Sequence, residues 1–310
     1  MEIINDIGYL QINRETAVAL GNFDGLHRGH AEVIQAAVRA DGLLPAVFTF
    51  TENPHPAAQL TTFREKRLIL QGLGAEVLIA VDFETVRDMD AEEFAVELLI
   101  NKCRARRLCC GEDYRFGHKA RGDITLLKAL CKKHGVEVEV VPSARMNGEK
   151  ISSTRIRSAI EAGEIRQANS MLGRCFAYSF EVIHGNHIGR GLGTPTINQA
   201  LPENFILPRF GVYATVARID GKQYCYGVTN IGVKPTVGSD RVLSETWMPD
   251  FQGDLYGKRV RLYLLDFIRP ERKFSSLEEM KEEILRNAQT AKEITEKADW
   301  TKLGDYYACQ

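Results

Sequence analysis

The sequence lacks the features that would place it in a membrane or on nucleic acid. No run approaches the roughly 18 apolar residues of a membrane-spanning helix, and residues 1–11 are too polar for a signal peptide. No block of one charge sign stands out, since 40 basic residues face 41 acidic ones. Such a balance argues against a nucleic-acid footprint. The sequence therefore predicts a cytoplasmic protein whose partners are neither membranes nor nucleic acids.

The cysteines also exclude a class of site. There are seven, an odd number, and they are scattered along the chain without a Cys-x-x-Cys pair. A zinc site needs clustered ligands, and a disulfide framework needs paired ones. Free thiols in a reducing compartment are the plain interpretation.

Two halves of the chain show different periodicities. Residues 16–141 alternate short apolar runs with helical patterns, which predicts an α/β domain with a doubly wound parallel sheet. In such sheets ligands bind beyond the carboxyl ends of the strands. After about residue 173 strands dominate, with a hairpin turn at Asp220-Gly221 and a terminal helix capped by Ser276. This half predicts a small antiparallel β-barrel with a C-terminal helix, so the predicted domains are residues 1–172 and 173–310.

The loop after the first predicted strand is Gly-Asn-Phe-Asp-Gly-Leu-His-Arg-Gly-His, residues 21–30. Its glycines let the backbone approach a phosphate, and the helix that follows points N–H groups at an anion. His27 and His30 can donate to oxygens that gain charge during phosphoryl or nucleotidyl transfer. An isolated pair of histidines is more often structural. Its position after a strand favours a phosphate site.

Three further segments follow predicted strands. Residues 151–157, Ile-Ser-Ser-Thr-Arg-Ile-Arg, form either an ordinary helix cap with exposed arginines or a clamp for a polyphosphate. Residues 49–56 contain Thr-Phe and Asn-Pro-His-Pro, and residues 111–117 read Gly-Glu-Asp-Tyr-Arg-Phe-Gly. Each of these two is either a turn or part of the same crevice.

Together the four segments resemble, in content and order, the nucleotidyltransferase half of bacterial bifunctional riboflavin kinase/FAD synthetases. The resemblance implies that the phosphate of FMN attacks the α-phosphorus of ATP and releases pyrophosphate, with Mg²⁺. It assigns His27 and His30 to the transferring and leaving phosphates. It implies ATP contacts from Gly21, Phe23, Asp24, Gly25, Ser153, Thr154 and Arg157, and flavin contacts from Asn53, Asp113 and Phe116. The sequence departs from the family pattern at one point. The link between Thr-Phe and Pro-His-Pro is longer here than is usual in the family, so the resemblance does not fix the roles of Asn53 and His55.

The densest glycine cluster of the chain lies in residues 184–198. A flexible loop of this kind can fold over phosphates, and Thr196 and Asn198 offer a hydroxyl and an amide to Mg²⁺. It is not a Walker A loop, because no Gly-Lys-Ser/Thr follows at the required spacing. The alternative is a long turn between two barrel strands.

This segment resembles the Gly-Arg-x-Leu-Gly-x-Pro-Thr-x-Asn signature of riboflavin kinases. The resemblance implies phosphorylation of riboflavin by ATP. It makes Glu245 the general base, although Trp247 replaces the histidine usual two residues later, and Thr194 stands where phenylalanine is common. It further implies Mg²⁺ ligation by Thr196 and Asn198, ATP contacts from Gly185, Gly189, Gly193, Thr196 and Asn198, and flavin contacts from Tyr213 and Trp247.

Two other functions are less consistent with the sequence. A flavin-binding protein with decayed catalytic residues is disfavoured, because Glu245, Asn198, His27 and His30 are all present. A single nucleotidyltransferase of the cytidylyl or pantetheine type, joined to an unrelated domain, would not carry the Pro-Thr-Ile-Asn and Glu245 segments. The predicted substrates are riboflavin, FMN and ATP, and the sequence does not give the oligomeric state.

Overall fold

The structure is a computed structural model that describes residues 1–52, 57–185, 193–236 and 239–298. The chain divides into two compact units, Met1–Ser153 and Thr154–Gln310. In the described part of the chain, no helix is long and apolar enough to cross a membrane.

The first unit is built on a six-stranded parallel sheet. Its strands are β1 (Glu2–Ile4), β2 (Thr16–Leu20), β3 (Leu44–Phe50), β4 (Val77–Val81), β5 (Ala105–Gly111) and β6 (Glu137–Val141). Their order is β1-β4-β3-β2-β5-β6, with every pair parallel. The direction of progression therefore reverses at β2, which has β3 on one side and β5 on the other. Such a switch point places a ligand crevice outside the carboxyl ends of the strands that flank it.

Helices connect these strands, as the alternating pattern predicts. They are α1 (Arg28–Val38), α2 (Phe63–Gly72), α3 (Ala91–Glu93, continuing with π-type hydrogen bonding over Phe94–Lys102) and α4 (Ile124–Lys133). A small hairpin of β7 (Arg145–Met146) and β8 (Glu149–Lys150) follows β6. The predicted caps are confirmed, since Thr62 accepts from the Glu65 N–H and Asp90 from the Glu93 N–H.

The second unit is an antiparallel sheet that curls toward closure. After α5 (Ser153–Ala162) and α6 (Ile165–Leu172) come β9 (Phe176–Glu181), β10 (Thr196–Ala200), β11 (Gly211–Ile219), β12 (Gln223–Thr236), β13 (Ser239–Trp247), β14 (Arg259–Pro270) and α7 (Leu277–Glu296). The strand order is β10-β13-β12-β11-β14-β9. Beyond β9, the Ile183 N–H donates to the carbonyl of Asn198 on β10 at 2.8 Å, which brings the two edges together. This confirms the expected antiparallel barrel with a C-terminal helix.

Helix α6 is packed against the strands of the second unit. The buried Asn169 amide donates to the Leu264 carbonyl of β14 at 2.9 Å and accepts from the Phe176 N–H of β9 at 2.6 Å. These bonds show that α6 belongs with the second unit, whose boundary lies at Ser153/Thr154. The predicted domain boundary at residues 172/173 stays a prediction.

The terminal helix covers one face of the antiparallel sheet. Ala288 and Ala291 of α7 pack on Val212, Ala214 and Val228 of β11 and β12. Small residues on the helix let its backbone approach the sheet closely. The face that α7 covers is also the face that carries the candidate kinase residues, described below.

Candidate active sites

The loop between β2 and α1 is held in a strained conformation. Phe23 and Leu26 have φ values of 51° and 45°, in the left-handed region that residues with side chains rarely adopt. Both side chains are fully buried, so core packing holds the strained backbone in place. Gly25 also has a positive φ, and a Cβ there would lie 2.7 Å from Leu60. Strain of this kind persists where the surrounding structure fixes it, and it clusters at functional sites.

The two predicted catalytic histidines lie at the start of α1. His27 is the N-cap of the helix, and its Nδ1 accepts from the His30 N–H at 3.2 Å. The two rings stack with their centroids 3.6 Å apart, and Phe23 contacts His30 edge-on. Because Nδ1 of His27 serves as an acceptor, the proton of the neutral ring is on Nε2. The cap therefore fixes which nitrogen of His27 can donate.

Asp24 joins this loop to other segments. Its Oδ1 accepts from the Leu60 N–H at 3.0 Å, and its carbonyl accepts from the Ser153 hydroxyl at 2.8 Å. Ser153, from the segment of residues 151–157, thus contacts the loop of residues 21–30. Thr154 and Arg157 follow in the first turns of α5, which begins at Ser153. Their predicted contacts to ATP, and those of Gly21, Phe23, Asp24 and Gly25, stay predictions.

A residue that sequence reasoning missed lies under the same loop. Lys66 of α2 is only 4% exposed, and its Nζ donates to the carbonyl of Asn22 at 2.9 Å and to that of Phe50 at 3.3 Å. Burial lowers the pKa of Lys66 to about 8, and the charge of Asp24 partly offsets this. Lys66 lies in the charged run Arg-Glu-Lys-Arg, residues 64–67, and such a run is typical of a solvent-exposed surface. Lys66 lies four residues before the buried Leu70, and residues four apart share one face of a helix. This spacing could have identified Lys66 as a buried residue.

The segment after β5 carries the predicted flavin contacts. The Asp113 carboxylate accepts from Lys150 of β8 at 2.6 Å, and this bond holds the pKa of Asp113 below its usual value, with a smaller contribution from His27. Phe116 is buried among Tyr114 and Phe94. Asn53 lies outside the described residues. These three flavin contacts stay predictions.

In the second unit the strand register brings the candidate kinase residues into one row. Glu245 of β13 pairs with Asn198 of β10 on one side and with Asn230 of β12 on the other. Directly paired residues of neighbouring strands point to the same face. Two positions along, Trp247 pairs with Thr196 and Val228, and so lies on that face too. Asn230, which the sequence analysis missed, belongs to the row and donates to Glu271 at 3.2 Å.

This row lies on the side of the sheet that α7 covers. Trp247 packs against the cluster formed by Val228 and the α7 alanines. Glu245 lies two residues before Trp247 on β13 and faces the same side of the sheet. Trp247 stands where histidine is usual, and Glu245 is still paired with Asn198 and Asn230.

Asn198 is a buried polar residue of β10. It is 4% exposed, and its Oδ1 has no hydrogen-bond partner within the described part of the chain. A Cβ at Gly185 would lie 2.4 Å from its Nδ2, so the backbone there approaches the amide as only glycine allows. Gly193 has a positive φ of 73°. Gly189 lies outside the described residues.

Tyr213 is placed differently from the other predicted flavin contacts. Its side chain is fully buried, and its hydroxyl donates to the Arg209 carbonyl. It pairs with Thr229, whose hydroxyl belongs to a buried chain with Thr215 and Thr246. The structure thus places Tyr213 on the opposite face from Glu245, and its flavin contact stays a prediction.

Comparison with known proteins matches two families to successive parts of the chain. A family model described as FAD synthetase matches residues 10–155, and one described as riboflavin kinase matches residues 172–295. The chain is 35% identical to the bifunctional riboflavin kinase/FMN adenylyltransferase of Escherichia coli K12 over 95% of its length and 98% of the relative's. It is 34% identical to the enzyme of that name from Buchnera aphidicola of Acyrthosiphon pisum, over 92% and 95%.

A solved structure resembles the chain over nearly its whole length. It is a protein from Streptococcus pneumoniae described as a macrolide-efflux protein, with a TM-score of 0.84 and 31% identity over 96% of this chain and 99% of that one. The two chains therefore share their fold in both parts.

Proposed function

This chain belongs to the family of bifunctional riboflavin kinase/FMN adenylyltransferases, and we propose here how its residues perform the two reactions. It phosphorylates riboflavin to FMN and transfers AMP from ATP to FMN, giving FAD and pyrophosphate. ATP is the co-substrate of both steps. The observation that carries the assignment is the match of both family models to successive parts of one chain.

The first unit carries the adenylyl transfer. A phosphate oxygen of FMN attacks the α-phosphorus of ATP, and the bond to the bridging oxygen breaks to release pyrophosphate. His27 and His30 donate to the phosphate oxygens that gain charge, as preorganised donors do in other transferases. Support comes from their place after β2, at the switch point of the sheet, and from the strained loop that fixes them. Ser153, whose hydroxyl donates to the Asp24 carbonyl, would hold the triphosphate beside this loop.

The second unit carries the kinase reaction. The 5′-hydroxyl of riboflavin attacks the γ-phosphorus of ATP, its proton passes to Glu245, and ADP leaves. A hydroxyl is a poor nucleophile until a base takes its proton in the transition state. Trp247 and the α7 cluster would line the flavin ring, and the segment that contains Gly185, Gly189 and Gly193 would cover the phosphates.

Mg²⁺ fits the donors of the second unit. The Thr196 hydroxyl and the Asn198 amide oxygen are the hard oxygen ligands that this ion prefers, and Asn198 Oδ1 is buried without a partner in the described residues. When bound, the ion would neutralise charge on the β- and γ-phosphates. Thr196 and Asn198 would then orient the γ-phosphorus toward the hydroxyl, and Glu245 would receive the proton.

Labelled ATP distinguishes the two reactions. Starting from riboflavin, label on the γ-phosphate should enter FMN and remain in FAD, whereas label on the α-phosphate should enter FAD alone. Chromatography of the flavins with detection of the label measures both. α-Label in FMN, or no label in any flavin, would contradict the proposed chemistry.

A further inference from the structure

A buried ammonium group ties two strand ends together beneath the strained loop. The Nζ of Lys66 donates to the carbonyls of Asn22 and Phe50, and it lies 3.5 Å from the Thr49 hydroxyl. Asn22 follows β2, while Thr49 and Phe50 end β3. The Thr49 hydroxyl itself donates to the Asn22 carbonyl at 2.9 Å. The Asn22 carbonyl therefore accepts two bonds, one from α2 and one from β3.

Asn22 begins the strained segment that leads to His27. Between Asn22 and His27 the chain passes through the positive φ values of Phe23, Gly25 and Leu26. Phe23 and Leu26 are fully buried, so this segment has little freedom to absorb a displacement at its start. A shift of the Asn22 carbonyl would reach the cap at His27.

Burying this charge is unfavourable for folding, which argues for a role beyond packing. Desolvation lowers the pKa of Lys66 to about 8, and Asp24 is the charged group that partly offsets it. An uncharged chain of similar length, such as methionine, would fill the space without the desolvation cost. What methionine could not supply is three N–H donors at one point.

We infer that Lys66 is a positioning residue of the adenylyl-transfer site, whose ammonium group fixes the Asn22 carbonyl and, through the loop, His27 and His30. This inference rests on the proposed role of the two histidines. Lys66 touches neither flavin nor nucleotide in this account. A misplacement of reacting groups by about 1 Å can cost about a hundredfold in rate, which sets the expected effect of losing the ammonium.

Deprotonation of Lys66 should impair the positioning of the loop. A neutral amine keeps two N–H groups and cannot donate to all three oxygens around Lys66. The turnover of FAD formation should therefore fall as the pH rises through about 8, the pKa to which burial lowers this group. The row formed by Asn198, Glu245 and Asn230 contains no lysine. The pH profile of riboflavin phosphorylation by the same chain therefore serves as the control for the pH profile of FAD formation.

The test measures kcat and KM for FAD formation from supplied FMN, with the full chain. Lys66→Met removes the charge at nearly constant length, and Lys66→Arg keeps a cation with N–H donors. Lys66→Met should lower kcat about a hundredfold and change KM for FMN less than threefold. Lys66→Arg should recover most of kcat and lose the decline above pH 8. Riboflavin phosphorylation should stay within twofold in both variants.

Two further measurements keep the inference falsifiable if Lys66→Met fails to fold. Thr49→Val removes the second donor to the Asn22 carbonyl without a change of charge, and it should lower kcat about tenfold. The wild-type pH profile needs no variant. Unchanged kcat in Thr49→Val, or a flat wild-type profile from pH 7 to 9.5, would overturn the inference. If His30→Ala also left FAD formation intact, the fault would lie instead with the proposed role of the histidines.

Discussion

Glu245 of β13 lies directly opposite Asn198 of β10 in the antiparallel register. The pairing puts the carboxylate proposed as the base and the amide proposed as the Mg²⁺ ligand on one face of the sheet. Thr196, two residues before Asn198, lies on the same face. The proposed base and the proposed metal ligands therefore lie on paired strands rather than on a loop.

Glu245→Gln tests the base of the kinase reaction. The amide keeps the size and shape of the side chain but accepts no proton, so FMN formation should fall ~10²–10⁴-fold. Binding of riboflavin and ATP should change much less, and FAD formation from supplied FMN should survive. Steady-state rates with each flavin measure this. Unchanged turnover would move the base elsewhere, with Asp250 the next candidate.

His30→Ala tests the adenylyl-transfer site. Loss of one preorganised donor to a developing charge costs ~10²–10³ in rate, so FAD formation from supplied FMN should fall by that factor. Riboflavin phosphorylation should remain nearly unchanged. If FAD formation persists within threefold, His30 serves only to pack against His27 and Phe23.

Asn198→Leu tests the Mg²⁺ ligand. Without its amide oxygen the Mg²⁺ concentration for half-maximal kinase activity should rise at least tenfold, whereas Asn198→Asp keeps an oxygen and should respond less. Gly185→Ala offers an independent check, because the added methyl would displace the Asn198 side chain. An Mg²⁺ dependence unchanged in Asn198→Leu would exclude Asn198 as a ligand.

Two fragments test where the kinase domain begins. Residues 154–310 keep α6, whereas residues 174–310 lose Asn169 and leave the Phe176 N–H and the Leu264 carbonyl without it. Buried groups left without partners cost about 1–3 kcal/mol each. Urea unfolding should show the shorter fragment less stable by about 2–6 kcal/mol. Equal stabilities would favour the predicted boundary at residues 172/173.

Much of the fold was predictable because local signals and topology agree. The strand–helix alternation of the first unit and the caps at Thr62, Asp90 and Ser276 are sequence-local features, and the structure has them. The hairpin at Asp220-Gly221 joins β11 to β12. These elements depend on residues close in the chain, which is why periodicity and turn chemistry identify them.

Features that depend on tertiary pairing were missed. Strands β10 and β13 contain Thr, Asn, Gln, Ser and Glu, so they show no clear apolar run, although their register creates the Asn198–Glu245–Asn230 row. Helix α6 is short, and Asn169 is polar, yet it is buried because two strands satisfy its amide. Lys66 was missed for the same reason, since only the assembled loop supplies its three acceptors.

The most direct test of two separate active sites on one chain is to assay His30→Ala and Glu245→Gln, each alone and mixed, with riboflavin, ATP and Mg²⁺. Chromatography then separates riboflavin, FMN and FAD. The account predicts that His30→Ala accumulates FMN, that Glu245→Gln leaves riboflavin unchanged, and that the mixture forms FAD because released FMN reaches the intact adenylyl-transfer site. FAD formation by either variant alone at the wild-type rate, or FMN accumulating without FAD in the mixture, would contradict it.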